Sequence, residues 1–171
     1  MGLAAINKGE NMTPEERKQK IKRYGKGFDM LKKTLADIPR KAWKFKPAPI
    51  EWSIHEIIIH LADSETNAAM RARLLAAEPG RAVMAYDQDK WATSLNYHDQ
   101  SIKDALNLVK YARRTTYKWL KTLPESVFEN TVAHAEYDKP YSFEMWLSIY
   151  PEHIPGHIEQ IKNNYKLWKK K

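Results

Sequence analysis

Apolar residues recur at spacings of three and four from Ile21 through Tyr24, Phe28, Leu31 and Leu35, which predicts an amphipathic helix. Its start is written in Thr13-Pro14-Glu15-Glu16. Thr13 is an N-cap, Pro14 suits the first helical position, and Glu16 completes a capping box. The helix runs to about Asp37 and ends at Ile38-Pro39. Within it, Gly25 and Gly27 either weaken the helix or admit a close neighbour. A second capping box, Ser53 with Glu56, precedes Ile57-Ile58-Ile59 and predicts a helix through Leu61, Ala68 and Leu75 to Pro79-Gly80. Between residues 81 and 98 the periodicity is lost. A long loop is expected there, carrying Tyr86-Asp87-Gln88-Asp89-Lys90-Trp91.

A third helix is predicted over about 99–122, with Ile102, Leu106, Val109, Ala112 and Thr116 on one broad face. Residues 129–141 are polar and suit a hairpin or a loop. From Ser142 to Trp168 a fourth helical pattern contains Pro151 and Pro155, which predicts that it is kinked or divided. Four long helices with two long connections describe an all-α four-helix bundle. Residues 1–12 read as a flexible leader and 13–171 as a single domain.

Composition narrows the function classes. The chain of 171 residues contains no cysteine, which excludes a disulfide framework, a thiolate metal site and a cysteine nucleophile. With 43% hydrophobic residues it has enough apolar material for a core. No apolar run approaches the ~20 residues of a membrane span. The Met1–Ile6 stretch is short for a signal-peptide core, and Ile6 stands where a myristoylation site needs Ser or Thr. A cytoplasmic protein without membrane association is expected. The net charge of +8 is scattered over Lys18 to Arg23, Lys41 to Lys46 and Lys169 to Lys171, among acidic neighbours. No base-reading or stacking motif accompanies it, so specific nucleic-acid binding is not expected.

The six histidines are not equivalent. His153 and His157 lie four apart, about 40° around a continuous helix, a spacing that lets two imidazoles share one metal ion. Two helix histidines bonded to water or carbonyls give the same spacing. In the second helix His60 is followed on one side by Ser64, Asn67 and Arg71. A polar row is an odd choice for a core face, because burying polar groups without partners costs free energy. A pocket opening into the bundle explains the row, and a face turned to water is the alternative. His55, five residues before His60, is rotated by about 140° and does not readily serve the same ion. His98 and His134 fall in connections and are expected at the surface.

Three segments together resemble the DinB/YfiT-like superfamily. Trp52-Ser53-Ile54-His55-Glu56-Ile57-Ile58-Ile59-His60-Leu61-Ala62-Asp63-Ser64-Glu65 is similar to its second-helix motif. The loop Tyr86–Trp91 is similar to its following signature, and His153-Ile154-Pro155-Gly156-His157-Ile158-Glu159-Gln160-Ile161 to its last-helix motif. The resemblance spans roughly residues 25–168, with the motifs in order. It implies a four-helix bundle with a divalent metal, zinc or nickel, held by His60, His153 and His157. It further implies a metal-dependent hydrolase or a thiol-dependent transferase acting on a small molecule. A low-molecular-weight thiol is among the implied partners, and a homodimer among the implied assemblies. A non-catalytic, stress-associated metal binder is the alternative. Three nitrogen ligands would leave an open position, as in catalytic rather than structural sites. Carboxylates are expected to orient the imidazoles from behind, with Glu56, Asp63, Asp87 and Asp89 as candidates.

Overall fold

The computed structural model describes residues 12–171; the expected leader, apart from Met12, lies outside the described residues. Four long helices dominate: α1 (Pro14–Ala36), α2 (Ile54–Ala77), α4 (Ile102–Leu120) and α5 (Phe143–Trp168). Both expected capping boxes are present. The Thr13 hydroxyl accepts from the Glu16 amide while the Glu16 carboxylate accepts from the Thr13 amide, and Ser53 and Glu56 do the same at α2. Each box satisfies amide groups that a helix start would otherwise leave orphaned.

Around the bundle the helices follow the order α1–α4–α2–α5, with α1 packed most extensively on α5 and α2 on α4. The consecutive pairs α1, α2 and α4, α5 therefore sit on diagonals. This is why long connections join them: the chain must cross one end of the bundle each time. Residues 37–53 make one such crossing, and Trp43 in it is buried, its indole N–H donating to the Ile38 carbonyl at 3.1 Å. That crossing and the turn at Tyr97–Asp99 cover the start of α2, so that every residue from Ile54 to Ala62 is buried.

The region expected as a long loop contains more order than periodicity revealed. It holds a short strand β1 (Ala82–Val83) and a seven-residue helix α3 (Gln88–Ser94). Asp87 caps α3 by accepting from the amides of Asp89 and Lys90 at 3.1 and 3.0 Å. A helix of two turns is too short to show a period in sequence. Residues 129–141 form the expected hairpin, with β2 (Thr131–His134) antiparallel to β3 (Tyr141–Ser142). The strand β1 joins it in parallel to give a small three-stranded sheet over one end of the bundle.

The α5 segment is not divided. It runs unbroken from Phe143 to Trp168 with Pro151 and Pro155 inside. The prolines leave the carbonyls of Leu147 and Pro151 without a helical donor, and close by Arg113 of α4 donates to the Tyr150 carbonyl at 2.6 Å. Arg113 and Glu65 form a buried ion pair at 3.4 Å, both almost wholly excluded from solvent, and the Tyr24 hydroxyl donates to Glu65 at 3.1 Å. The guanidinium fits because Gly27 has no side chain: a Cβ there would lie 2.3 Å from the Arg113 Nη1. Gly27 thus admits a close neighbour.

Candidate metal centre

Helices α2 and α5 are ring neighbours, and their packing brings His60 against His153 and His157. The ring centroids lie 5.4 Å apart for His60 and His153, 4.9 Å for His60 and His157, and 4.7 Å for His153 and His157. One nitrogen from each falls within 4.8 Å of the others, so the three mark out one position; tetrahedral ligation at about 2.0–2.1 Å sets nitrogens about 3.4 Å apart, and the rings close in by about an ångström to bind. The pair on α5 keeps its one-turn spacing across Pro155 because the helix stays continuous.

The chemistry of the three rings fits a metal. Both nitrogens of His60 and the Nδ1 of His153 are buried without a hydrogen-bond partner. Buried polar atoms are nearly always bonded, so orphans of this kind call for an explanation. Burial holds all three imidazoles below their ordinary pKa, and the neighbouring His157 adds to the effect on His60, which is pushed down to about 3. The rings are therefore neutral near pH 7, the form that can ligate.

The surroundings differ from expectation. Trp52 forms a wall, with its ring centroid 4.7 Å from His60 and 6.5 Å from His157. Its carbonyl accepts from the buried Asn164 side chain at 2.8 Å, which ties the wall to α5. The group behind a histidine is an amide rather than a carboxylate: Gln160 Oε1 stands 3.0 Å from His157 Nδ1. The acidic candidates are engaged elsewhere. Glu56 serves the Ser53 cap and pairs with Lys46 at 3.0 Å, and Asp63 accepts from the Tyr97 hydroxyl. Asp87 caps α3, and Asp89 is exposed. Gln160 was present in the third motif, but an amide three residues past a histidine carries no distinctive signal.

His55 points elsewhere, as its register requires: its Nε2 lies 2.9 Å from the Gln100 carbonyl and its ring faces His98. His98 is only half-buried. His134, expected at the surface, is buried: it ends β2 beside Val83 of β1, and the chain that turns back into β3 lays Tyr137 and Tyr141 against its ring. The polar row of α2 turns inward. Ser64 is buried, and Arg71 donates to the Tyr150 hydroxyl at 2.9 Å and to the Met84 carbonyl at 2.6 Å. Only Asn67 folds back on its own helix, bonding the Asp63 carbonyl.

Comparison with known proteins gives the family and the fold. The chain is 27% identical over 132 residues to "Putative metal-dependent hydrolase OB0782" of Oceanobacillus iheyensis, covering 77% of this chain and 76% of that one. It is 26% identical over 110 residues to "Putative metal-dependent hydrolase YfiT" of Bacillus subtilis, covering 64% and 62%. The solved structure of Bacillus subtilis YfiT, described as a four-helix bundle of unusual topology, superposes with a TM-score of 0.85 over 94% of this chain and 92% of that one at 20% identity. Since the family model described as the DinB superfamily matches residues 24–161, most of the bundle and all three histidines included, the chain belongs to that superfamily.

Proposed function

We propose that this protein is a metal-dependent hydrolase of small molecules in which His60, His153 and His157 hold one divalent ion, zinc or nickel. The observation that carries the reading is the convergence of three neutral imidazoles from two helices, with nitrogens of His60 and His153 buried and unpartnered. The names of the relatives support the reaction class. An ion held there supplies Lewis acidity to a bound carbonyl or to an incoming nucleophile.

The residues of the chain do the rest. His60 and His153 offer their unpartnered nitrogens, and Gln160 orients His157 by accepting its Nδ1 hydrogen, leaving Nε2 free to ligate. Trp52 screens one side of the triad from water. An ion held by three protein ligands would keep a position open for substrate, unlike one in a closed structural site. The chain has no cysteine, so a transferase of the thiol-dependent kind would need its sulfur from a separate small molecule.

A panel of esters and amides, with thiol-plus-electrophile pairs in parallel, tests the reading. Hydrolysis that a chelator abolishes and added zinc or nickel restores is the expected result. Metal-dependent turnover only with a thiol present would replace hydrolase by transferase. Stoichiometric metal binding with silence across the panel would favour the non-catalytic reading.

A further inference from the structure

Arginines that the fold draws into its interior are otherwise balanced by acids. Arg113 has Glu65 at 3.4 Å, and Arg17 has Glu125. Arg71 is the exception: among the described residues no carboxylate pairs with it. A guanidinium carries five N–H donors. Here two bonds are made, to the Tyr150 hydroxyl and the Met84 carbonyl, while Nε is buried with no partner. Both partners are neutral. The guanidinium is thus held in place by two neutral partners, with donor capacity left over that an anion could use.

The groups around Arg71 are mainly phenols and an imidazole, with the Glu136 carboxylate nearby, which acts on Tyr86, Tyr137 and His134. The positive charge of Arg71 reaches the phenols of Tyr86, Tyr137, Tyr141 and Tyr150 and the ring of His134. The Tyr150 hydroxyl accepts from Arg71 and so keeps its own hydrogen to donate. The Tyr141 hydroxyl and His134 Nε2 are buried without a partner. The cluster adjoins the histidines: the Tyr150 ring centroid is 6.2 Å from that of His153. One aromatic ring therefore separates the guanidinium's anchor from the metal centre. Arg71 itself remains partly open to solvent.

We propose that Arg71, seated on Tyr150 beside Tyr141 and His134, is the subsite that binds a carboxylate of the substrate, so that the protein acts on small carboxylic acids. A cation with no carboxylate among the described residues in ion-pair contact and with Nε still unpartnered matches a monoanion, and the planar fork of arginine matches a carboxylate's two oxygens. This subsite rests on the metal-centre reading for its role in catalysis, but its anion binding does not depend on a metal.

The test uses the full-length, metal-free protein, so that no carboxylate can bind through an ion. Benzoate is titrated against the neutral benzamide and against inorganic phosphate at constant ionic strength. Heteronuclear NMR follows the Arg71 Nε–Hε resonance and the backbone amides of His134 and Tyr150. Benzoate is expected to shift all three, and benzamide none. Arg71→Gln should weaken benzoate binding by roughly tenfold or more, with Arg71→Lys in between, because lysine keeps the charge but loses the fork. Should Arg71→Gln not fold by circular dichroism, Arg71→Lys carries the comparison. Equal response to benzamide, or unchanged benzoate affinity in either variant, overturns the proposal. Tighter binding of phosphate than of benzoate overturns the carboxylate assignment. Zinc uptake, measured on the same samples, reports separately on the three histidines.

Discussion

Gln160 Oε1 lies 3.0 Å from His157 Nδ1, one helical turn further along α5. This contact selects a tautomer: the Nδ1 carries the hydrogen and Nε2 is left with its lone pair. Gln160→Leu removes the acceptor while keeping a helix-compatible side chain. Metal affinity should fall by ~10–100-fold, the usual cost of losing an outer partner of a ligating histidine. Competition with a chromophoric chelator measures it, and an unchanged affinity would mean that the amide does not orient the ring.

The two histidines of α2 provide an internal control. His60→Ala should lose more metal affinity than Gln160→Leu, with His153→Ala and His157→Ala behaving like it. His55→Ala should keep the wild-type metal content, because its imidazole bonds the Gln100 carbonyl on another side of the helix. Its cost is to stability, about 1 kcal/mol for one lost hydrogen bond. Elemental analysis of folded variants decides the matter. A full site in His60→Ala would refute the assignment.

Acid should destabilise the metal-free protein through the same histidines. Unfolded, each imidazole titrates near 6.5; folded, burial lowers all three, His60 to about 3. Below pH 6.5 the unfolded chain therefore binds more protons than the folded one, and stability falls as pH falls. For His60 the window runs from 6.5 down to about 3, with a slope of roughly 1 kcal/mol per pH unit. Urea denaturation at pH 7 and pH 5 should show the loss. Metal binding should weaken over the same range, since ligation needs neutral rings.

Gly27→Ala places a Cβ 2.3 Å from the Arg113 Nη1. Arg113 is held by Glu65 and the Tyr150 carbonyl and has little room to retreat. A loss of about 1–3 kcal/mol is expected, as for overpacking elsewhere in cores. Although Ala is the better helix former by about 1 kcal/mol, that gain is too small to offset the clash. Thermal denaturation of the variant would show it, and an unchanged midpoint would mean that the buried pair can shift.

What the sequence determined by itself lies within a few residues of chain. The capping boxes at Thr13 and Ser53, the four helical periods and the opposed directions of His55 and His60 are local consequences of a turn of 3.6 residues. The order of three motifs identified the superfamily and, through it, implied the three histidines that the fold brings together. The packing decided the rest. Continuity of α5 across two prolines is seen only in the folded chain, where α1 and α2 pack along it and Arg113 of α4 bonds the Tyr150 carbonyl. The seating of Trp52 on His60 depends on Asn164, far along the chain, and the burial of His134 depends on a hairpin folding over it. Arg71 looked like one more polar residue on a helix face. Only when α5 and the β1 segment were laid against it did its guanidinium come to rest on Tyr150, next to the histidine cluster and with no carboxylate among the described residues in ion-pair contact. Such contacts join residues distant in sequence, and their geometry is set by the docking of whole helices, which no local period records.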